Sequence, residues 1–114
     1  MKENRVEISG YKGVWLFTMF DLPVDDKEKR KMYTAFRKDL LAQGFSMLQY
    51  SVYARYFNGQ EAADAHIRRI RWMVPSEGEV RLMYVTDKQF GDMEVYYGKK
   101  RRAAEKAPEQ MLLF

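Results

Sequence analysis

The chain has 114 residues, 46% hydrophobic and 15% aromatic, enough for one small domain with a modest core and too few for two. Cysteine is absent, which excludes disulfides, thiolate nucleophiles and zinc-thiolate sites and fits a reducing, cytoplasmic setting. With 20 Lys and Arg against 16 Asp and Glu the net charge is +4, a mild bias towards anionic partners; no signal-peptide core opens the sequence and no apolar run approaches the ~18 residues of a membrane span, so a soluble chain is expected.

The first element is "GVWLFTMF". Trp15, Phe17 and Met19 fall on one face and Val14, Leu16, Thr18 and Phe20 on the other, so a strand here is apolar on both sides and belongs in the middle of a sheet. Pro23, lacking an N–H, ends it. Asp25 and Glu28 then read as a capping box, with Asp25 as N-cap of a helix. In that helix Met32, Phe36 and Leu40 recur at a spacing of four with Tyr33 beside them, and Gly44 is the stop signal. Its opposite face carries Lys27, Lys31 and Lys38, flanked by Arg30 and Arg37.

"FSMLQYSVYARYF" is rich in aromatic and β-branched residues and predicts two strands, 45–49 and 52–57, or equally one bent ribbon. A second helix is expected from Glu61 to Val74, where Ala63, Ile67, Ile70 and Val74 share a face until Pro75 intervenes. "GEVRLMYVTD" sets Val80, Leu82 and Tyr84 against Arg81, Met83 and Val85 as a further strand, and "MEVYYG" suggests a short last one. The order β-α-β-β-α-β plus an additional C-terminal strand fits an α+β, ferredoxin-like plan, an antiparallel sheet with two helices on one face. Residues 1–98 form the expected domain. From 99 onwards "KKRRAAEKAPEQMLLF" changes composition abruptly and reads as a basic and apolar tail, mobile or docked.

Asp21 is the residue that asks for an explanation. An Asp opening a turn before Pro is ordinary turn chemistry. Alternation, however, puts it on the Trp15, Phe17, Met19 face at the end of an apolar strand, where an unpaired carboxylate is costly. A basic side chain, helix N–H groups or a hard ion such as Mg2+ would compensate it. One carboxylate is a thin metal site; in a two-fold dimer a second Asp21 could face the first, and two could share one ion. His66, the only histidine, reads as a surface residue of the second helix, Asp25 and Asp26 as helix-start residues, and Asp87 as the opening of a loop. Three basic groups, the back of the first helix, "RRIR" at 68–71 with Arg68 and Arg71, and "KKRR" at 99–102, together suit a phosphate-binding surface better than a plain solvated one.

The segments "WLFTMFDLP", "LLAQGF", "MLQYSVYARY" and "EVRLMYVTDKQF" resemble the CRISPR-associated protein 2 family over roughly residues 13–98. The most specific parts are the aromatic-Asp pair closing the first strand and the G-x-x-x-x-Q-x-S-V-aromatic run from Gly44 to Tyr53. "TDKQF" and the long tail look like variants of type II systems. The resemblance implies a ferredoxin-like homodimer that bridges copies of the CRISPR integrase and holds duplex DNA during spacer acquisition. It also implies metal-dependent nuclease activity on duplex DNA or single-stranded RNA. Asp21 matches the family's metal-binding, catalytic aspartate, Phe20 its adjacent aromatic, Arg30 a basic residue early in the helix, and Tyr53 the aromatic after Ser-Val, a second catalytic candidate. Met47 stands where some relatives carry a basic residue, which weakens the case for an independent catalyst and favours a scaffold. The terminal "QMLLF", with Gln110, Leu113 and Phe114, looks like the short peptides that occupy the bacterial sliding clamp; the alternatives are docking on the integrase or on the chain's own dimer.

Overall fold

The computed structural model describes residues 13–108; the tail candidates Gln110, Leu113 and Phe114 lie outside the described residues. Strand β1, Val14–Asp21, runs between β3, Val52–Phe57, and β4, Glu79–Thr86. With β2, Ser46–Gln49, on the outer side of β3, the antiparallel order is β2-β3-β1-β4. Helix α1, Lys27–Ala42, and helix α2, Gln60–Met73, complete the β-α-β-β-α-β plan, which is the expected ferredoxin-like arrangement. No helix among the described residues is long and apolar enough to cross a membrane.

The two-sided apolar pattern of β1 has the physical consequence foreseen for it. On the helix face Val14, Leu16 and Phe20 join Phe36 and Leu40 of α1, Ala63 and Ile70 of α2, and Tyr53 and Phe57 of β3 in one core. On the outer face Trp15 and Phe17 pack with Ala54 and Phe90. Burying each such side chain contributes about 1.5–3 kcal/mol, so the helix-face core supplies the larger share of stability.

The end of α1 is fixed by backbone chemistry. Gly44 takes φ +86°, a left-handed conformation that glycine adopts without steric cost. Its N–H donates to Leu41 O at 3.0 Å, and that of Phe45 donates to Leu40 O at 3.0 Å. These two bonds satisfy the last carbonyls of the helix, and the Phe45 and Leu40 side chains meet in the core above them. At the start the N-cap is Asp26, whose carboxylate accepts from Lys29 N at 2.8 Å. The expected cap, Asp25, instead faces the Lys29 ammonium at 3.3 Å; adjacent aspartates offer the same capping chemistry, and the chain uses the second.

Two C-terminal elements depart from expectation. Asp87 opens no loop but begins a short helix α3, Asp87–Gly91, capped by Thr86 and Gln89 in a reciprocal capping box. Phe90 of α3 stacks on Trp15 at 3.8 Å between ring centroids, and the Trp15 indole N–H donates to Asp87 at 2.8 Å, clamping α3 onto the outer face. The expected last strand forms as β5, Val95–Tyr97, but it pairs with β6, Lys100–Arg102, in a separate hairpin. The compositional break at 99 therefore falls within that hairpin's turn, and Ala104 beyond it still packs on the outer-face cluster.

Candidate metal and nucleic-acid site

Asp21 is the last residue of β1 and sits on the outer face in register with Glu79 of β4. It is exposed, against the expectation of little nearby water. The cover supplied by Phe90, Met93 and Ala104 lies over the Trp15 end of the strand, and nothing described covers the other end. Among the described residues no cation and no hydrogen-bond donor pairs with its carboxylate. Gly78 makes this geometry possible. At φ +95° its Cα passes so close to β1 that a Cβ would lie 2.7 Å from Asp21 O and 2.8 Å from Leu22 Cδ2.

Glu79 is the site residue that sequence reasoning missed. Directly opposite side chains in an antiparallel pair project to the same side with Cβ atoms about 4.5–5.5 Å apart, so two carboxylates share the rim of the sheet. Arg81 holds Glu79 at 2.7 Å; Asp21 has no such counterion among the described residues. Among the described residues no group of three or more His, Cys, Asp or Glu gathers to hold an ion. The oxygen donors present are of the hard kind Mg2+ takes, but one chain offers too few of them for a closed protein site.

Tyr53 is not brought to Asp21. It is 1% exposed in the helix-face core, its ring 5.5 Å from that of Phe20, whereas Asp21 points from the opposite face. Buried among apolar rings, Tyr53 is a packing residue and has no path to a substrate held at Asp21. Phe20 is likewise core, edge-on to Phe36 at 5.1 Å. The Ser-Val pair before Tyr53 shapes a turn: Ser51 has φ 65°, and its carbonyl accepts from Phe20 N at 3.1 Å, tying the β2–β3 connection to the end of β1.

The cations of α1 do gather. Lys27, Arg30, Lys31 and Lys38 surround a shallow hollow of about 410 Å3 floored by Thr34 and Ala35. Arg30 also donates to Val24 O at 3.2 Å, and Arg37 is half-buried beside the row. Arg68 and Arg71 are exposed on α2. Among the described residues no carboxylate pairs with any of these seven. Lys29, by contrast, is occupied by Asp25, Asp26 and Glu77 at 3.3–3.9 Å.

His66 is half-buried and engaged on both ring nitrogens, not a free surface residue. Its Nδ1 lies 2.8 Å from Gln43 Oε1 and its Nε2 lies 3.1 Å from Arg55 Nη1. A guanidinium only donates, so Nε2 accepts and Nδ1–H donates. Burial first, then the charges of Arg55 and Arg69, push the imidazole below its ordinary pKa. Arg55 also donates to Gln43 O at 2.6 Å, placing a cation at the C-terminal end of α1, where the helix dipole favours one.

A family model described as CRISPR associated protein Cas2 matches residues 14–93. The chain belongs to the Cas2 family. Proteins named CRISPR-associated endoribonuclease Cas2 are similar to it along most of its length. That of Parvibaculum lavamentivorans is 50% identical over 101 residues, 89% of this chain and 100% of its own. That of Flavobacterium psychrophilum is 42% identical over 112 residues, 98% of this chain and 97% of its own. A third, from Paracidovorax avenae, is 41% identical over 107 residues, 94% of this chain and 99% of its own. The Cas2 match spans all four strands of the main sheet, both long helices and α3, so Asp21, Glu79 and the α1 cations all lie within it.

Proposed function

We propose that this Cas2 chain acts as a homodimeric nucleic-acid-binding subunit of the CRISPR adaptation complex, bridging integrase dimers on duplex DNA while spacers are acquired. The observation that carries the nucleic-acid part is the row of cations around the α1 hollow, which have no carboxylate partners among the described residues. Lysine and arginine so arranged neutralise backbone phosphates and carry little sequence information, as a scaffold that accepts varied spacers requires. Family membership supports the adaptation role. The test is a salt titration of duplex binding by wild type and by the Lys27→Ala, Lys31→Ala, Lys38→Ala triple variant. Each phosphate contact adds about 0.9 to the slope of log affinity against log salt, so losing three should flatten it by about 2.7. An unchanged slope would remove α1 from the interface.

The second reading is metal-dependent phosphodiester hydrolysis at Asp21, favoured by the exposed carboxylate, which has no partner among the described residues, and by the relatives' printed names. Two Asp21 side chains brought together by a two-fold mate would hold one Mg2+ with water or phosphate oxygens completing its shell. When bound, the ion would supply an activated water and offset charge on the phosphate. The chain's own part is to present the carboxylates and to hold the substrate backbone on its cations. Asp21→Ala measured beside wild type with Mg2+ and with EDTA separates the readings. Cleavage lost in the variant with spacer acquisition retained makes hydrolysis secondary to scaffolding; equal cleavage by both proteins ends the metal reading.

A further inference from the structure

Trp72 is 91% exposed on the outer side of α2, one helical turn from Arg68 and Arg69 and next to Arg71. Single exposed apolar residues are common and need no cause, and arginines late in a helix are favoured by its dipole. Neither account covers a fully presented indole whose helical neighbours Arg68, Arg69 and Arg71 no described carboxylate neutralises. The acids of α2 lie elsewhere: Asp64 is bonded to Tyr84, and Glu61 is in the first turn, while Ile70, between the arginines, is buried and locks this turn to the core. The indole is therefore held on a rigid element with its ring available. Both helices lie on the same face of the sheet, so the patch and the α1 cations belong to one helical layer. A groove between the helices is lined by Ala35 and Met73, and Ala35 also floors the α1 hollow.

We propose that Trp72 is a base-stacking platform that recognises unpaired nucleotides, with Arg68, Arg69 and Arg71 holding the adjoining phosphates. The proposal rests on the nucleic-acid reading of the helical layer and deepens it. A single-stranded overhang leaving a duplex held on the α1 row would supply such unpaired bases. Stacking accepts any base because every base has a π-face, whereas paired bases present none along the duplex side. Charge complementarity favours this occupant over a protein: in the helical turn before Trp72 the exposed side chains are three arginines, with no described carboxylate to offset them.

The test uses the full chain, a short oligothymidylate, its RNA counterpart and a blunt duplex. Trp15 is buried against Phe90, so quenching of the solvent-exposed emission reports Trp72. Single strands should quench it and the blunt duplex should not. Trp72→Ala should weaken single-strand binding by roughly fivefold to a hundredfold, as expected for one stacked base, with duplex affinity unchanged, and Trp72→Phe should restore most of the loss. Wild-type and Trp72→Ala affinities equal for both single strands, beside intact duplex binding, would overturn the platform and leave the parent reading standing. No binding of any nucleic acid by wild type would overturn both. Self-association lost in Trp72→Ala, with single-strand affinity unchanged, would assign the residue to a protein interface and also overturn the platform.

Discussion

The opposition of Asp21 and Glu79 predicts that the chain gives up stability at its candidate metal site. Directly opposed like charges on paired strands destabilise a sheet, and these two are in register on β1 and β4. At a carboxylate separation of about 6 Å the repulsion is about 0.7 kcal/mol in bulk water and about four times that at an effective dielectric constant near 20. Both side chains lie at an exposed rim and Arg81 already offsets Glu79, so the lower figure, about 0.5–1 kcal/mol, is the one to expect. Asp21→Asn keeps the shape and removes the charge. For a chain of this length the variant should melt about 2–4 °C above wild type at low ionic strength with EDTA present. The gain should fade near 1 M salt, where the screening length shortens to about 3 Å. Mg2+ should then raise the melting temperature of wild type and leave that of Asp21→Asn unchanged, since only a state that binds the ion is stabilised by it. A variant less stable than wild type at low salt, or a gain that persists in high salt, would refute the charge argument.

The buried Gln43 side chain bonds His66 and Met73, so Gln43→Ala should cost about 2–4 kcal/mol in urea denaturation from lost packing and a stranded imidazole N–H; a loss below about 0.5 kcal/mol would dismiss the network. His66 is held neutral with its folded pKa below the unfolded value near 6.5, so its contribution is full above about pH 6.5 and falls as the pH drops towards the folded pKa. Urea midpoints of wild type and His66→Gln across that range should diverge from this cause, and parallel curves would count against it. Thr18 Oγ1 is buried with no hydrogen-bond partner among the described residues, so Thr18→Val should stabilise the fold by about 1 kcal/mol, and a destabilised variant would mean that the hydroxyl has a partner. Gly78→Ala should cost more than about 1 kcal/mol through its positive φ and the clash with Asp21 O, which thermal melting would register; a neutral result would show that β4 can move away.

How far the sequence carries depends on whether a residue's partner is local. Trp15 to Phe20, apolar at every position but Thr18, could only sit in the centre of a covered sheet, and Gly44 could be read as a helix stop because its left-handed role is a property of the glycine itself. The β5–β6 hairpin was half-visible. "KKRR" has no strand propensity and forms β6 only because β5 precedes a Gly98 turn at φ 64°. Helix α3 was too short to show a period, although Thr86 and Gln89 at capping-box spacing were a signal for its start. His66 was opaque for another reason: its partners are 11 and 23 residues away, a contact that only the packing of α2 against β3 and the end of α1 creates. The same limit governed the site. Alternation gave the correct face for Asp21, but its exposure depends on where Phe90 and Ala104 happen to end their cover, and Glu79 enters only through the β1–β4 register.

The two faces of the sheet also constrain how metal and dimer would be related. The helix face is sealed, whereas on the outer face Met83 remains exposed and Met19 and Val52 half-buried, between the α3 cover and the acidic rim. Apolar contact with a second copy there would be favourable, yet it would carry two Asp21 and two Glu79 side chains towards one another, which opposes closure in proportion to their charge. A cation between the rims would reverse the sign of that contribution. If the proposed dimer forms on this face, ion binding and association are therefore linked, and each must strengthen the other by the same factor. Sedimentation of wild type should show self-association tightened by Mg2+, and Asp21→Asn should associate without Mg2+ at least as well as wild type and gain nothing from the ion. Association of wild type that is indifferent to Mg2+ while the ion still protects it from melting would break that linkage and place the ion on each protomer alone.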